Sequence, residues 1–302
     1  MDKRSWLMKR AMKSIKADLV IAHNMGALYP AWWYSKKYKV PFAFDMEDYH
    51  PGEKIHTDNL NEKNRRKFLL KKLLPDAHYL SYASPMIGSY GLKLVGGDNL
   101  KSHFLVNNAF SYSEFIAPET KNGKLKLVWF SQYIDAGRGL EGVLPIFDAF
   151  HDQLELHLFG SLRDNFYNET LKHRKYISIH NPISQMELHH ALADYDIGLA
   201  LESIHQDLNR DICLTNKIIA YSQAGLYILA TDTKAQKDFI EKNPQNGLVI
   251  STEYTDLYDK MEWVLDNLEE IRQKALMRYE LNKRLSFENE SLKLINSVKE
   301  VL

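Results

Sequence analysis

Three consecutive residues at the head of a helix are the first candidates for chemistry. In "NRDICLTNKIIAYSQAGLYILATDT", residues 209 to 233, Thr215, Asn216 and Lys217 precede an apolar helical stretch, an Ala-Gly stop and an apolar strand. A helix N-terminus presents free backbone N–H groups and the positive end of its dipole, so anions bind there. The run therefore points to an anion, a phosphate, beside Thr215 to Lys217. A second candidate is Arg138 in "GRGLEG", Gly137 to Gly142. It follows a strand and heads a helix, so its guanidinium adds to the helix N-terminus as an anion clamp. The three glycines match a dinucleotide fingerprint only in form. "QYIDA" separates them from the strand, and "LELHLFGS" ends without an acid to hold a ribose, which argues against a nicotinamide cofactor.

A third group lies near the other end of the chain. "DLVIAHN" closes an apolar strand with His23 and Asn24, and "FAFDMEDYHPGE" delivers Asp45, Glu47, Asp48 and His50 after the next. Parallel-sheet proteins bind ligands beyond the carboxyl ends of their strands. Two neighbouring strands thus bring a histidine and several carboxylates to one edge.

The elements that must position these residues alternate strand and helix, which implies an α/β fold with mostly parallel sheets. The pattern predicts a basic helix over 3–16, strands at 17–23 and 40–45, and a helix at 27–38 despite Pro30. A helix over 60–74 ended by Pro75, a strand at 77–83, a helix opened by Ser84-Pro85 and a strand at 103–109 follow. Residues 111–124 are polar and read as a linker, leaving an N-terminal domain over 1–110. From 125 to 302 the alternation restarts as a complete Rossmann-like domain closing in two long helices, the last of which packs back on the N-terminal domain.

Composition excludes several classes. Lysine plus arginine equals aspartate plus glutamate, 39 each, so no net field draws nucleic acid. The single cysteine, Cys213 between Ile212 and Leu214, fits packing and a reducing cytoplasm. No apolar run is long enough to span a membrane, and the lysine-interrupted start is not a signal peptide. His189 and His190 are adjacent on a polar helix, cannot share one metal and read as surface residues. "DYD", Asp194 to Asp196, precedes its strand and reads as turn chemistry, so no metal site is expected. The basic helix at 63–74 carries lysine or arginine at 63, 65, 66, 67, 71 and 72 beside a stripe of Leu69, Leu70, Leu73 and Leu74. It fits either a solvated face or an anionic membrane surface.

Taken in order, these segments resemble the GT-B fold glycosyltransferases, family 4-like. "DLVIAHN" is similar to that family's strand ending in a reaction-centre histidine. "SQYIDAGRGLEGVL" is similar to its phosphate-clamping turn, and "LTNKIIAYSQAGLYILATDTKAQKDFI" to its donor-phosphate helix start. The resemblance implies two Rossmann-like domains facing across a cleft, the first incomplete because the chain begins partway through it. It implies a retaining enzyme that moves a sugar from a nucleotide diphosphate sugar to a glycan, lipid or other cell-surface precursor, as in polysaccharide biosynthesis. Neither metal nor separate cofactor is implied. Gln132, Arg138, Gly139, Thr215, Asn216 and Lys217 would bind the donor. His23 and Asp48 would act at the reaction centre, and Asn24, Asp45 and Glu47 on the acceptor side. Ile212 and Ala220 occupy the places of the family's Glu pair, so ribose is held differently, with Asp211 or Glu202 as next candidates. The alternative is a catalytically impaired relative that binds a nucleotide or partner. An uncovered sheet edge in the short first domain predicts self-association.

Overall fold

A computed structural model describes residues 3–55, 60–97, 100–202 and 207–302. The chain divides into two compact units. One holds Met1–Asn108, Gln206–Cys213 and Asn289–Leu302, and the other Ala109–His205 and Leu214–Glu288.

The first unit is built on α1 (Lys3–Met12), β1 (Val20–His23), α2 (Met25–Tyr38), β2 (Phe42–Met46), α3 (Leu60–Leu73), β3 (Leu80–Tyr82), α4 (Pro85–Val95) and β4 (His103–Leu105). Its four strands pair in parallel in the order β1-β2-β3-β4. Register sets the chemistry of the edge: His23 lies opposite Asp45, and Asp45 opposite Ser81. Proline inside α2 withholds the N–H that the Gly26 carbonyl would otherwise receive from four residues on. Ser5 of α1 donates its hydroxyl to that Gly26 carbonyl at 3.4 Å. Ser84 caps α4 through Ile87 N at 3.1 Å, as the Ser-Pro pair predicts.

In the second unit the order is β5 (Leu125–Ile134), α5 (Leu140–Phe147), β6 (Leu154–Leu162), α6 (Asp164–Phe166), β7 (Ile177–His180), α7 (Gln185–Ala191) and β8 (Ile197–Ala200). The short α8 (Leu208–Ile212) belongs to the first unit. Then come α9 (Asn216–Gln223), β9 (Tyr227–Thr231), α10 (Lys234–Lys242), β10 (Gly247–Ile250), α11 (Leu257–Asp266), α12 (Leu268–Gln273), α13 (Ala275–Asn282) and α14 (Phe287–Val301). The six strands are parallel in the order β10-β9-β8-β5-β6-β7, a doubly wound sheet whose topology reverses between β5 and β8. Leu127, Trp129, Leu156, Leu158, Ile197, Leu199 and Leu229 fill its core. Gly198 is needed there, because a Cβ would meet the Tyr221 ring of α9 at 2.3 Å. That contact seats α9 flat on β8.

Several expectations change. The strand expected to stop at 131 runs on to Ile134 through an irregularity between Phe130 and Tyr133, so Gln132 stands exposed within a strand rather than in the turn. His189 is buried, not surface: it bonds Glu114 at 2.9 Å and lies against the rings of Phe110 and Phe115. Its apolar surroundings lower its pKa despite Glu114. Asp196 is no turn residue but a buried acid at the head of β8. Residues 111–124 are not a free spacer, since Ser111 and Glu114 bond Glu288 and His189 within the second unit. The two long C-terminal helices are four, broken at Asn267, Lys274 and around Arg284. The basic face of α3 is partly neutralised, because Arg65 and Arg66 both bond Glu62 and Arg66 also bonds Glu53.

Candidate functional site

A doubly wound sheet opens its ligand crevice where the topology reverses, outside the carboxyl ends of the two strands concerned. Here those strands are β5 and β8. The loop leaving β5 carries Gly137 and Gly139 with φ of 76° and 88°. At Gly139 both conformation and space exclude a side chain: a Cβ would lie 2.8 Å from Leu201 Cβ and 2.9 Å from Tyr254 Oη. Tyr254 donates its hydroxyl to the Gly139 carbonyl at 3.2 Å, and Gly137 N donates to Glu141. Arg138 is thereby held between two fixed glycines, half-buried and without an ion pair among the described residues.

The chain next to Leu201 supplies the rest of this group. Glu202 holds Lys217 Nζ at 3.2 Å, with both side chains largely buried. The Glu202 N–H donates to Thr231 Oγ1 at 2.9 Å, which fixes the carboxylate's backbone. Thr215 occupies the N-cap of α9 but makes no side-chain cap bond, and its buried Oγ1 has no hydrogen-bond partner among the described residues. An unpaired buried hydroxyl costs about 1–3 kcal/mol, so the position suits an incoming hydrogen-bonding ligand. The second unit thus has Thr215 and Lys217 at the α9 N-terminus, with Lys217 joined to Glu202, whose neighbour Leu201 packs against Gly139 next to Arg138. Asn216 is exposed at that helix start, while Gln132 lies back along β5. Ala220 is fully buried in α9.

Polar residues 207–213, expected in the same donor loop, serve the first unit instead. Asp207 caps α8 through Arg210 N at 2.8 Å. Asn209 accepts from Tyr49 N at 2.7 Å and donates to Asp48 Oδ1 at 2.6 Å. Ser84 donates to the Ile212 carbonyl at 2.6 Å. Asp48 accordingly does not join His23: it lines a separate cavity of about 600 Å³ with Arg66 and Asn209. Asp45 sits on β2 opposite His23, and Glu47 and Asp48 lie in the bend after that strand, where Glu47 turns to His23 and Asp48 to Asn209.

His23 is clamped from both sides. Its Nδ1 lies 2.7 Å from Asp45 Oδ2 and its Nε2 lies 2.9 Å from Glu47 Oε2. Ser81 donates to Asp45 at 2.7 Å and Asn108 to Glu47 at 3.2 Å, so each carboxylate is itself held. Ser81 and Asn108 are not legible as site residues in the sequence, since only the register places Ser81 beside Asp45. Asn24 does not face this group freely; at φ 66° it caps α2, accepting from Gly26 N at 3.3 Å. Partial burial lowers the His23 pKa, but the Asp45 charge and the Glu47 hydrogen bond and charge outweigh it, and the net shift is upward from 6.5. Carboxylates facing both ring nitrogens favour the charged form, in which both nitrogens donate, and disfavour a general-base role for His23.

The sign of the pH effect follows. A raised folded-state pKa gives stability that is fully present below 6.5 and is lost as pH rises through the folded value. The ring is 58% exposed, so solvent keeps that contribution small. NMR titration should show the His23 ring titrating above 6.5 and moving down in Asp45→Asn and Glu47→Gln. A wild-type midpoint at or below 6.5 would contradict the clamp.

No protein-family model matches the chain, and no curated protein matches its sequence. Solved structures do. Sucrose-phosphate synthase from Thermosynechococcus elongatus superposes with a TM-score of 0.73 at 11% identity, covering 98% of this chain and 77% of that one. A glycosyltransferase from Rickettsia africae gives 0.69 at 16% identity, covering 99% and 80%. HepE from Anabaena, solved in complex with UDP, gives 0.72 at 12% identity, covering 98% and 82%. Two parallel α/β units in this chain order, superposing over nearly all of this chain, give the protein the fold of the GT-B glycosyltransferases.

Proposed function

We propose that the chain is a retaining glycosyltransferase that takes a sugar from a nucleotide diphosphate sugar. The observation that carries this reading is the buried Thr215 hydroxyl, unbonded among the described residues, at the α9 N-terminus with Lys217 two residues on, in the unit whose β5–β8 reversal also puts Arg138 on the loop leaving β5. Negative charge builds on the leaving diphosphate in the transition state, and preorganised cations aimed at it lower the barrier most. Arg138 offers a planar fork and Lys217 a point charge, with the α9 amides between them in role. The Glu202 partner holds Lys217 in place before the ligand arrives. These groups do the neutralising work that a metal ion would do elsewhere, so neither metal nor cofactor is required. The HepE structures hold UDP and UDP-glucose, which favours a uridine donor. His23 would turn one ring N–H from its carboxylate to a hydroxyl of the transferred sugar, while the other carboxylate of the Asp45 and Glu47 pair keeps the ring oriented on the acceptor side. A glycan or lipid acceptor, and work in polysaccharide biosynthesis at the cytoplasmic side, belong to the same reading.

Calorimetry with UDP, GDP and NAD, followed by a donor-hydrolysis assay, tests it. UDP or GDP should bind and NAD should not. Arg138→Ala should weaken the nucleoside diphosphate by about 1.5–3 kcal/mol, the range for a charged hydrogen bond. An unchanged dissociation constant at low salt removes Arg138 from the site. One observation favours a second reading, a binding protein without turnover: Ile212 and Ala220, where the family has its Glu pair, are both fully buried apolar residues. Nucleotide binding with no hydrolysis or transfer across a panel of donors would select it.

A further inference from the structure

The α1 helix is packed the wrong way round for a water-facing element. Its buried residue is Ser5, bonded to the Gly26 carbonyl, while Trp6, Leu7 and Met8 face outward at 51%, 57% and 38% exposure. Ile15, just beyond the helix, is 54% exposed. An amphipathic helix on a soluble surface does the reverse, burying its apolar stripe. The charge around these side chains is just as one-sided. Residues 3–39 contain nine lysines and arginines and one acid, Asp18. Cations and rings are interleaved: Lys9 lies over Trp33 at 4.6 Å and over Tyr29 at 5.1 Å, and Lys37 over Trp33 at 5.1 Å and Tyr38 at 5.0 Å.

We propose that this α1–α2 face of the first unit docks on an anionic lipid surface, with Trp6 and Leu7 entering the headgroup boundary and Arg10, Lys13 and Lys37 meeting lipid phosphates. Tryptophan and leucine backed by lysine and arginine are the composition of helices that lie in a membrane interface. The apolar strip is one to two helical turns long, which suits shallow insertion and is small for a protein interface. A second copy is disfavoured by symmetry. A two-fold dimer sets the same patch against itself, and here that brings like charges together, relieved at Lys36 by Asp76 at 3.0 Å. The α3 helix is the weaker candidate for such contact, since Arg65 and Arg66 are already bonded to Glu62 and Glu53.

Flotation with vesicles of phosphatidylcholine alone, or mixed with phosphatidylglycerol, tests the proposal on the full chain. Binding should need the anionic lipid and fall at least tenfold in high salt. Trp6→Ser/Leu7→Ser should lose at least tenfold in partitioning, whereas Lys67→Gln/Lys71→Gln on α3 should lose less than threefold. Brominated phosphatidylglycerol should quench tryptophan emission in the wild type and quench Trp6→Phe less, which reads insertion even if the double variant folds poorly. Equal recovery with neutral and anionic vesicles overturns the proposal. So does loss of binding on changing α3 alone, equal quenching in Trp6→Phe, or a concentration-dependent dimer that Trp6→Ser/Leu7→Ser abolishes without any vesicle binding.

Discussion

Arg272→Ala should destabilise the second unit by about 3–5 kcal/mol, the loss typical when one partner of a buried ion pair is removed. The guanidinium meets Asp196 with two bonds, Nε at 3.0 Å and Nη2 at 2.9 Å, and the two side chains are 6% and 0% exposed. It also donates to the Gly123 and Lys124 carbonyls at 3.2 and 2.9 Å. Asp196 in turn accepts from Lys126 N at 2.9 Å, so one acid joins α12, β5 and the head of β8. Removing the arginine leaves that acid charged, buried and short of donors. The double variant Arg272→Met/Asp196→Leu should recover part of the loss, because neither partner of the pair is then left buried alone, while the buried Arg278 and half-buried Lys121 lose the Asp196 charge that favours their protonated forms. Urea unfolding of the wild type and the two variants measures both effects. A single-variant loss under about 1 kcal/mol would show that solvent reaches the pair.

Ala220→Glu should also unfold the second unit rather than restore ribose binding. The alanine is fully buried in α9, one residue before Tyr221, whose ring lies on Gly198 of β8. A carboxylate there loses its hydration with no partner provided, at an effective cost of several kcal/mol. The acid bonded to Lys217 is Glu202, whose backbone is fixed by its own N–H to Thr231. Ribose selectivity, measured as UDP against deoxy-UDP, should therefore fall in Glu202→Gln. Thermal unfolding decides the first point: an unchanged midpoint together with tighter UDP binding in Ala220→Glu would restore the family's path through this helix.

Asp196 and Ala220 mark the limit of what a linear reading reaches. Apolar runs of β-branched and aromatic residues locate each strand to within a few residues, because burial on both faces leaves no alternation to confuse them. The helix starts at Ser84, Ser184 and Thr215 are readable from the capping residue alone. Arg138, Thr215 and Lys217 can be singled out for the same local reason: a cation or hydroxyl at a helix head has its chemistry written in its neighbours. His189 and Asp196 cannot. A histidine in a polar helix and an acid in a turn look solvated, and only Phe110, Phe115 and Arg272, distant in sequence, bury and pair them.

The sequence by itself determined the element types and the anion-seeking helix heads, which rest on interactions within about four residues of one another, and the strand–helix alternation that implies parallel sheets. Tertiary structure decided which carboxylates belong to His23. Asp45, Glu47 and Asp48 are equivalent in a one-dimensional reading, three acids after one strand. Strand register sets Asp45 opposite His23 and Ser81, the bend after β2 brings Glu47 to His23 with Asn108 bonded to it, and Asn209 bonds Asp48. Register and long-range pairing depend on which strands become neighbours, and that is settled only when the whole sheet packs.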